Sequence, residues 1–171
     1  MTKDQKTVAV GAASGVAAMI VAMSAIYWSW PADPGLVDVA SRLAYALKAD
    51  LVAVLPLLVS IIAVANRRFT TEAIDPTLDR EDRAALIDGR VVDNTLQQYV
   101  LFLIGTLALS VNLTAEQMRV IPAAAIVFVV ARIAFWIGYR IHPLYRAFGM
   151  AATSYLCMGL IVFALWKLLA P

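Results

Sequence analysis

Five runs of mainly apolar residues dominate this chain, and each is close to the length a helix needs to cross a bilayer. They lie at 8–28, 47–65, 91–110, 121–138 and 148–168. A helix spans the hydrocarbon core with about 20 apolar residues, and no other unclosed structure satisfies its own backbone there. The 171 residues are 62% hydrophobic and only 15% charged. A soluble domain is about half apolar. The sequence therefore predicts an all-α integral membrane protein with five spans.

Composition removes several classes of function. A formal net charge of +2 offers no electrostatic footprint for nucleic acid. Cys157 and His142 are the only cysteine and histidine, so neither a Cys/His metal site nor a disulfide framework can be built within one chain. Cys157 falls in the last run and reads as a packed thiol. His142 precedes Pro143 in a loop and reads as structural.

The first run begins after Lys3 and Lys6 and ends in Tyr27-Trp28-Ser-Trp30-Pro31. It is longer than a signal-peptide core and lacks a small-residue cleavage pattern, so a retained helix is expected. Its Gly11-Ala-Ala-Ser-Gly15 is a small-xxx-small pattern suited to close helix packing. Asp33-Pro34-Gly35 signals a turn. Residues 36–46 are expected to form a short interfacial helix, and Pro56 to kink the second span. Residues 70–89 are the only long polar segment, expected to be a solvated loop or short helix.

With five spans the ends lie on opposite sides. Lys3, Lys6, Arg67, Arg68, Arg80, Arg83, Arg90, Arg140 and Arg146 then share one side, and Arg42, Lys48, Arg119 and Lys167 the other. The positive-inside rule makes the richer side cytoplasmic. The N-terminus is expected inside and the C-terminus outside, at the inner or plasma membrane if the source is bacterial.

Polar residues gather toward that inner side in three groups. Asn66-Arg67-Arg68 closes the second span. Arg90, Asn94 and Gln97 open the third at i, i+4 and i+7, on one helical face. Arg132, Trp136 and Tyr139 repeat that spacing in the fourth, followed by Arg140, His142 and Arg146. Each group has a plain alternative. Paired arginines stop translocation, aromatics anchor interfaces, and amides join helices for about 0.6 kcal/mol each. Arg132 is the exception. A cation at that depth needs acceptors or a counter-charge, and Asp93 is one candidate within the chain. Together the groups suggest a cationic, amide-rich pocket for a small anionic, peptide-like ligand, because guanidinium forks bind carboxylates in pairs of hydrogen bonds.

These residues resemble the MAPEG family, the membrane-associated proteins of eicosanoid and glutathione metabolism. Three features carry the resemblance, over roughly residues 43–168. They are Arg67-Arg68, the motif Arg90-Val-Val-Asp-Asn94-Thr-Leu-Gln97, and the most specific, Ala131-Arg132-Ile-Ala-Phe-Trp-Ile-Gly-Tyr139-Arg-Ile-His-Pro-Leu-Tyr-Arg146-Ala-Phe-Gly149. The additional first helix, Ser41-Arg42-Leu43 and Arg146-Ala-Phe-Gly149 are similar to a five-span, mattrin-like subgroup. The resemblance implies a four-helix membrane bundle over 36–171, preceded by an extra N-terminal helix and turn over 1–35. It implies a homotrimer binding glutathione between subunits, near the cytoplasmic face. Arg90, Asn94, Gln97, Arg132 and Tyr139 would hold glutathione, while Arg146, helped by Arg67 or Arg68, would stabilise its thiolate. Lipophilic electrophiles would arrive through the membrane lipids.

The chain also departs from the family pattern. Gln97 stands where an acidic residue would pair with the glutathione ammonium. Gln98 replaces the aromatic expected next, with Tyr99 displaced by one, and Phe135 replaces an aromatic hydroxyl. Gln97 accepts hydrogen bonds but cannot pair as a charge. Two functions therefore stay open: a glutathione-dependent transferase or peroxidase, and a non-catalytic membrane module binding lipids or membrane proteins. A transporter, suggested by Arg132 alone, lacks an acid–base relay across the spans.

Overall fold

The computed structural model describes residues 1–71 and 82–169. The stretch 72–81, which holds most of the polar loop expected from the sequence, lies outside the described residues. Among the described residues six α-helices, with a short 3-10 helix at Gln117–Arg119, make five membrane-length segments. Helix α1 (Lys3–Ser29) starts at a capping box in which Thr2 and Gln5 exchange hydrogen bonds. Helices α2 (Val39–Ala53) and α3 (Leu55–Thr70) form one crossing, interrupted at Val54. The interruption follows from Pro56, which has no N–H to donate to the turn before it. Helix α4 (Arg83–Asn112) is the longest, α5 covers Val120–Ile141, and α6 covers Ala147–Leu169.

The second span differs from expectation at its N-terminal end. No separate interfacial helix forms at 36–46. Asp38 instead caps α2 by accepting from the Ser41 amide at 2.8 Å, and the helix runs straight into the membrane. Arg42 then reaches across to the end of α4. It donates to the carbonyls of Ser110 at 3.0 Å and Val111 at 3.4 Å, and to Val37 at 2.9 Å. The last carbonyls of a helix lack helical donors, and a cation suits that end.

Helix α4 begins two turns before its apolar run. At 1.5 Å per residue its 30 residues span about 45 Å, against a hydrocarbon core of about 30 Å. Its first turns therefore stand at the membrane boundary and carry Arg83, Asp88 and Arg90 there. Asp82 anchors this end, accepting from the Ala85 amide at 2.8 Å and from both Arg67 nitrogens facing it. Those bonds hold the Asp82 carboxyl down at about 2. The tie from α3 to α4 is complete above about pH 4 and is lost as pH falls toward 2.

The core lies among α2 to α6. Phe102 of α4 meets Phe128 of α5 with ring centroids 4.6 Å apart, surrounded by Leu109, Met118, Ile121, Leu156 and Leu160. A smaller cluster of Ile87, Val91, Phe135 and Tyr139 closes the end at the start of α4.

Helix α1 lies outside this bundle, along α6 and α5. Gly15 is its one buried residue among those described. A Cβ there would stand 2.2 Å from the Phe148 carbonyl oxygen, and one at Gly11 would stand 3.3 Å from the Ala147 Cβ. The glycine pair is thus the contact surface for the start of α6. At the outer end Trp30 Nε1 donates to the Tyr45 hydroxyl at 3.0 Å, and Arg119 lies 5.4 Å from the Tyr27 ring centre. Gly15→Leu should lift the inner half of α1 while leaving the bundle folded. Cysteine cross-linking between positions 11 and 147 measures this. A cross-linking yield equal to that of the glycine parent would contradict it.

Candidate functional site

Two arginines and a tyrosine meet where α4, α5 and the α5–α6 turn come together. Arg90 and Asn94 lie one turn apart on α4, and Tyr139 lies in the last turn of α5. Arg146 arrives from the turn that follows. That turn folds back tightly: a Cβ on Gly138 would stand 2.8 Å from the Tyr145 carbonyl oxygen, so glycine lets it lie directly on α5. Within it the Tyr145 amide donates to the His142 carbonyl at 2.9 Å, and the Leu144 amide donates to His142 Nδ1 at 3.2 Å.

The Tyr139 hydroxyl accepts from Arg146 Nη1 at 2.9 Å and from Arg90 Nη1 at 3.4 Å. The Arg146 guanidinium also lies 4.9 Å from the Tyr139 ring centre. These residues line a cavity of about 270 Å³ with Asn94, Phe135 and Met150. Asn94 Oδ1 is buried at its wall without a hydrogen-bond partner. The cavity therefore presents two guanidinium groups and a phenol, with the Asn94 side chain in its wall.

A second cavity, of about 480 Å³, lies between α3 and α4. Arg68, Arg90 and Asp93 supply its polar wall, and Ile61, Val64 and Leu86 much of the rest. Arg90 borders both cavities, so the two share one cation.

Several residues singled out in the sequence stand elsewhere. Arg67 is engaged by Asp82, because the start of α4 comes down beside the end of α3. Gln97 points away from the first cavity and is exposed, since α4 turns it to its outer face. Arg132 does not line the cavity either. It is 1% exposed between α4, α5 and α6, about 2 Å along the axis from the midpoint of α5. It donates to Thr95 Oγ1 at 2.8 Å and Thr153 Oγ1 at 3.2 Å, and its guanidinium lies 4.0 Å from the Phe135 ring centre. Its Nε has no partner. Asp93, the counter-charge suggested by the sequence, faces the second cavity instead. Arg132 is thus held by hydroxyls and a ring, with no carboxylate bonded to it among the described residues.

Two buried acids carry roles the spacing did not disclose. Asp88 of α4, its side chain 1% exposed, accepts from Trp136 Nε1 at 2.8 Å and from Arg140 Nε at 3.0 Å and Nη2 at 2.5 Å. The i, i+4 pair Trp136 and Arg140 was a usable signal for such a partner. Asp50 of α2 is 2% exposed and accepts from Thr106 Oγ1 at 2.9 Å. Thr106 stands 11 residues beyond Thr95, about 16 Å along α4, so Asp50 and Arg132 are too far apart to neutralise one another.

The fold and this arginine-lined site define a multi-pass, all-α membrane protein built on a four-helix bundle with one further helix outside it. Comparison with known proteins supplies the family. The MAPEG family matches residues 45–166, and the chain belongs to it. The match begins within α2, so α1 lies outside it. Among curated proteins, Transmembrane protein 79 (mattrin) of Mus musculus is 24% identical over 158 residues. That of Bos taurus is 25% identical over 159. The aligned regions cover 90% and 91% of this chain but only 40% and 39% of those proteins. No solved structure matches it.

Proposed function

We propose that this protein binds glutathione in the Arg90–Tyr139–Arg146 cavity and presents its thiolate to lipophilic electrophiles from the bilayer, as a transferase or peroxidase. The observation that carries this reading is the convergence of Arg90 and Arg146 on one phenol beside the unpartnered Asn94 Oδ1. The donor set fits a small peptide with two carboxylates, because guanidinium groups bind carboxylates well and Asn94 can accept from an amide or ammonium. When bound, glutathione supplies the thiol that attacks the electrophile.

The protein's own residues do the rest. The Arg146 guanidinium favours an adjacent thiolate over a thiol. Tyr139 orients Arg146 and Arg90. Met150 and Phe135 exclude water from one wall. Arg68 contributes its charge from the neighbouring cavity, where Asp93 can take the pairing role that Gln97 forgoes. Arg67 acts through the anchoring of α4, and Arg132 by holding α4, α5 and α6 in register behind Phe135.

A homotrimer is part of this reading. Its support is the family and the exposed polar residues Asp93 and Gln97 on α4, which suit a protein neighbour better than lipid. The excess of arginine and lysine on its side of the bundle supports a cytoplasmic N-terminus.

A thiolate held by Arg146 would ionise well below the usual thiol value of about 8.5. A titration of thiolate ultraviolet absorbance in the complex tests this. The midpoint should fall by at least one pH unit in wild type and return toward 8.5 in Arg146→Gln. An unshifted wild-type midpoint would refute the reading.

A second reading is favoured by one observation. Among the described residues no carboxylate lines the first cavity, so none of them offers a glutathione ammonium a charge partner there. A mattrin-like module without catalysis, binding lipids or membrane proteins through the same surfaces, would need none.

A further inference from the structure

A third polar cavity, of about 280 Å³, opens between the inner ends of α4 and α5. Arg83, Ala84, Ile87, Arg140 and Ile141 line it, and it shares none of these with the Tyr139 cavity. Arg140 is balanced by Asp88, which engages its Nε and Nη2 and leaves Nη1 without a bond among the described residues. Arg83 makes no ion pair among the described residues. Among the described residues one positive charge is therefore left over at this site, together with guanidinium donors on both arginines that make no bond there.

The depth of the site selects the ligand. Arg140 stands about 14 Å along the axis from the midpoint of α5, close to the edge of a 30 Å hydrocarbon core. Ile141, one residue further out than Arg140, is 67% exposed, and Ile137, one turn nearer the membrane centre on the same face of α5, is 54% exposed. Trp136 supports Arg140 from the membrane side, its ring centre 5.3 Å from the guanidinium, and its Nε1 donates to Asp88. Cations at phosphate depth with an exposed aliphatic strip running inward beside them match a phospholipid, whose single negative phosphate meets the arginines while an acyl chain runs from Ile141 down over Ile137. A free phosphate would gain nothing from the aliphatic wall.

We infer that the α4–α5 groove at Arg83 and Arg140 is a binding site for the phosphate of an anionic phospholipid, with Asp88 positioning Arg140 for it. Arg140 itself is a poor test, because its removal uncovers the buried Asp88. Arg83→Gln is the primary variant. Ile141→Asn tests the acyl contact, and Lys167→Gln, at the opposite end of α6, controls for bulk charge.

The protein is placed in nanodiscs of phosphatidylcholine and phosphatidylglycerol, and the lipids retained per chain are counted by native mass spectrometry. Wild type should retain phosphatidylglycerol in preference to phosphatidylcholine. Arg83→Gln should lower that preference about fivefold, the effect of one interfacial cation. Ile141→Asn should shorten retention, and Lys167→Gln should change nothing. An absent wild-type preference, an unaffected Arg83→Gln or an equal loss in Lys167→Gln would overturn the site. Displacement of the lipid by an equal concentration of inorganic phosphate would overturn its assignment to a phospholipid.

Discussion

Gly149→Ala is expected to be among the most damaging single-methyl additions in this protein. A Cβ at Gly149 would stand 2.4 Å from the Ala131 carbonyl oxygen, 2.4 Å from the Phe135 nitrogen and 2.7 Å from the Phe135 Cα. All three are backbone atoms of α5, so no side chain can rotate away. The two helices must separate by about 1 Å to restore van der Waals contact. The separation would act where it matters most. Arg132 lies between Ala131 and Phe135, and its bond to Thr153 begins one turn beyond Gly149. Overpacking of this kind costs about 3 kcal/mol or more. Gly159→Ala is the matched control, since a Cβ there meets nothing within 4 Å, and alanine favours a helix over glycine by up to about 1 kcal/mol. Thermal unfolding in detergent compares the two. Wild-type stability in Gly149→Ala would contradict the close α5–α6 packing.

Arg140→Ala should be the more harmful half of a broken pair. Asp88 is 1% exposed and Arg140 is 47% exposed. Without Arg140, a carboxylate stays buried with Trp136 as its remaining donor, and removing one partner of a buried pair costs about 3–5 kcal/mol. Asp88→Asn is milder. It keeps an acceptor for Trp136 and frees Arg140 to extend toward the headgroups, for a loss of about 1 kcal/mol. Joint replacement by Arg140→Met and Asp88→Leu should recover most of the loss, since apolar pairs often match buried ion pairs. Chemical denaturation in mixed micelles orders the variants. Equal losses in Arg140→Ala and Asp88→Asn would show that burial does not decide the outcome.

Much of the fold was legible because the membrane simplifies it. Each apolar run became a helix at nearly its expected place, and Pro56 interrupts the second span as its missing donor requires. The outer half of that span was less legible. The periodicity of 36–46 suits an interfacial helix and the start of a crossing equally, and the Asp38 cap together with the reach of Arg42 to Ser110 decides between them. The glycines show the same limit. Gly11 and Gly15 announced a close contact by their spacing, but that Phe148 is the surface they meet depends on tertiary arrangement.

The site was legible in part. Spacing placed Arg90 with Asn94, and both with Tyr139 and Arg146 by resemblance, and these four line one cavity. The same i, i+4, i+7 logic failed for Gln97 and Arg132. Position i+7 sits some 20° off the first residue of its face, and a shared face does not say which neighbour it meets. Arg132 faces Thr95 and Thr153 because α6 approaches α5 closely at Gly149, a contact that spacing within α5 cannot reveal. Asp88 escaped notice because a lone acid near a helix start reads as solvated charge. Its burial comes from α5 crossing over it.

Calorimetry of glutathione binding to purified protein in detergent, with Arg90→Ala and Arg146→Ala in parallel, tests the central claim most directly. Charge-assisted hydrogen bonds contribute about 1.5–3 kcal/mol each, so each variant should weaken binding at least tenfold while the bundle stays folded. Saturable wild-type binding that both variants lose would confirm the Arg90–Tyr139–Arg146 cavity as the glutathione site. Absence of binding at millimolar glutathione, or binding untouched by either variant, would contradict it and leave the non-catalytic reading standing.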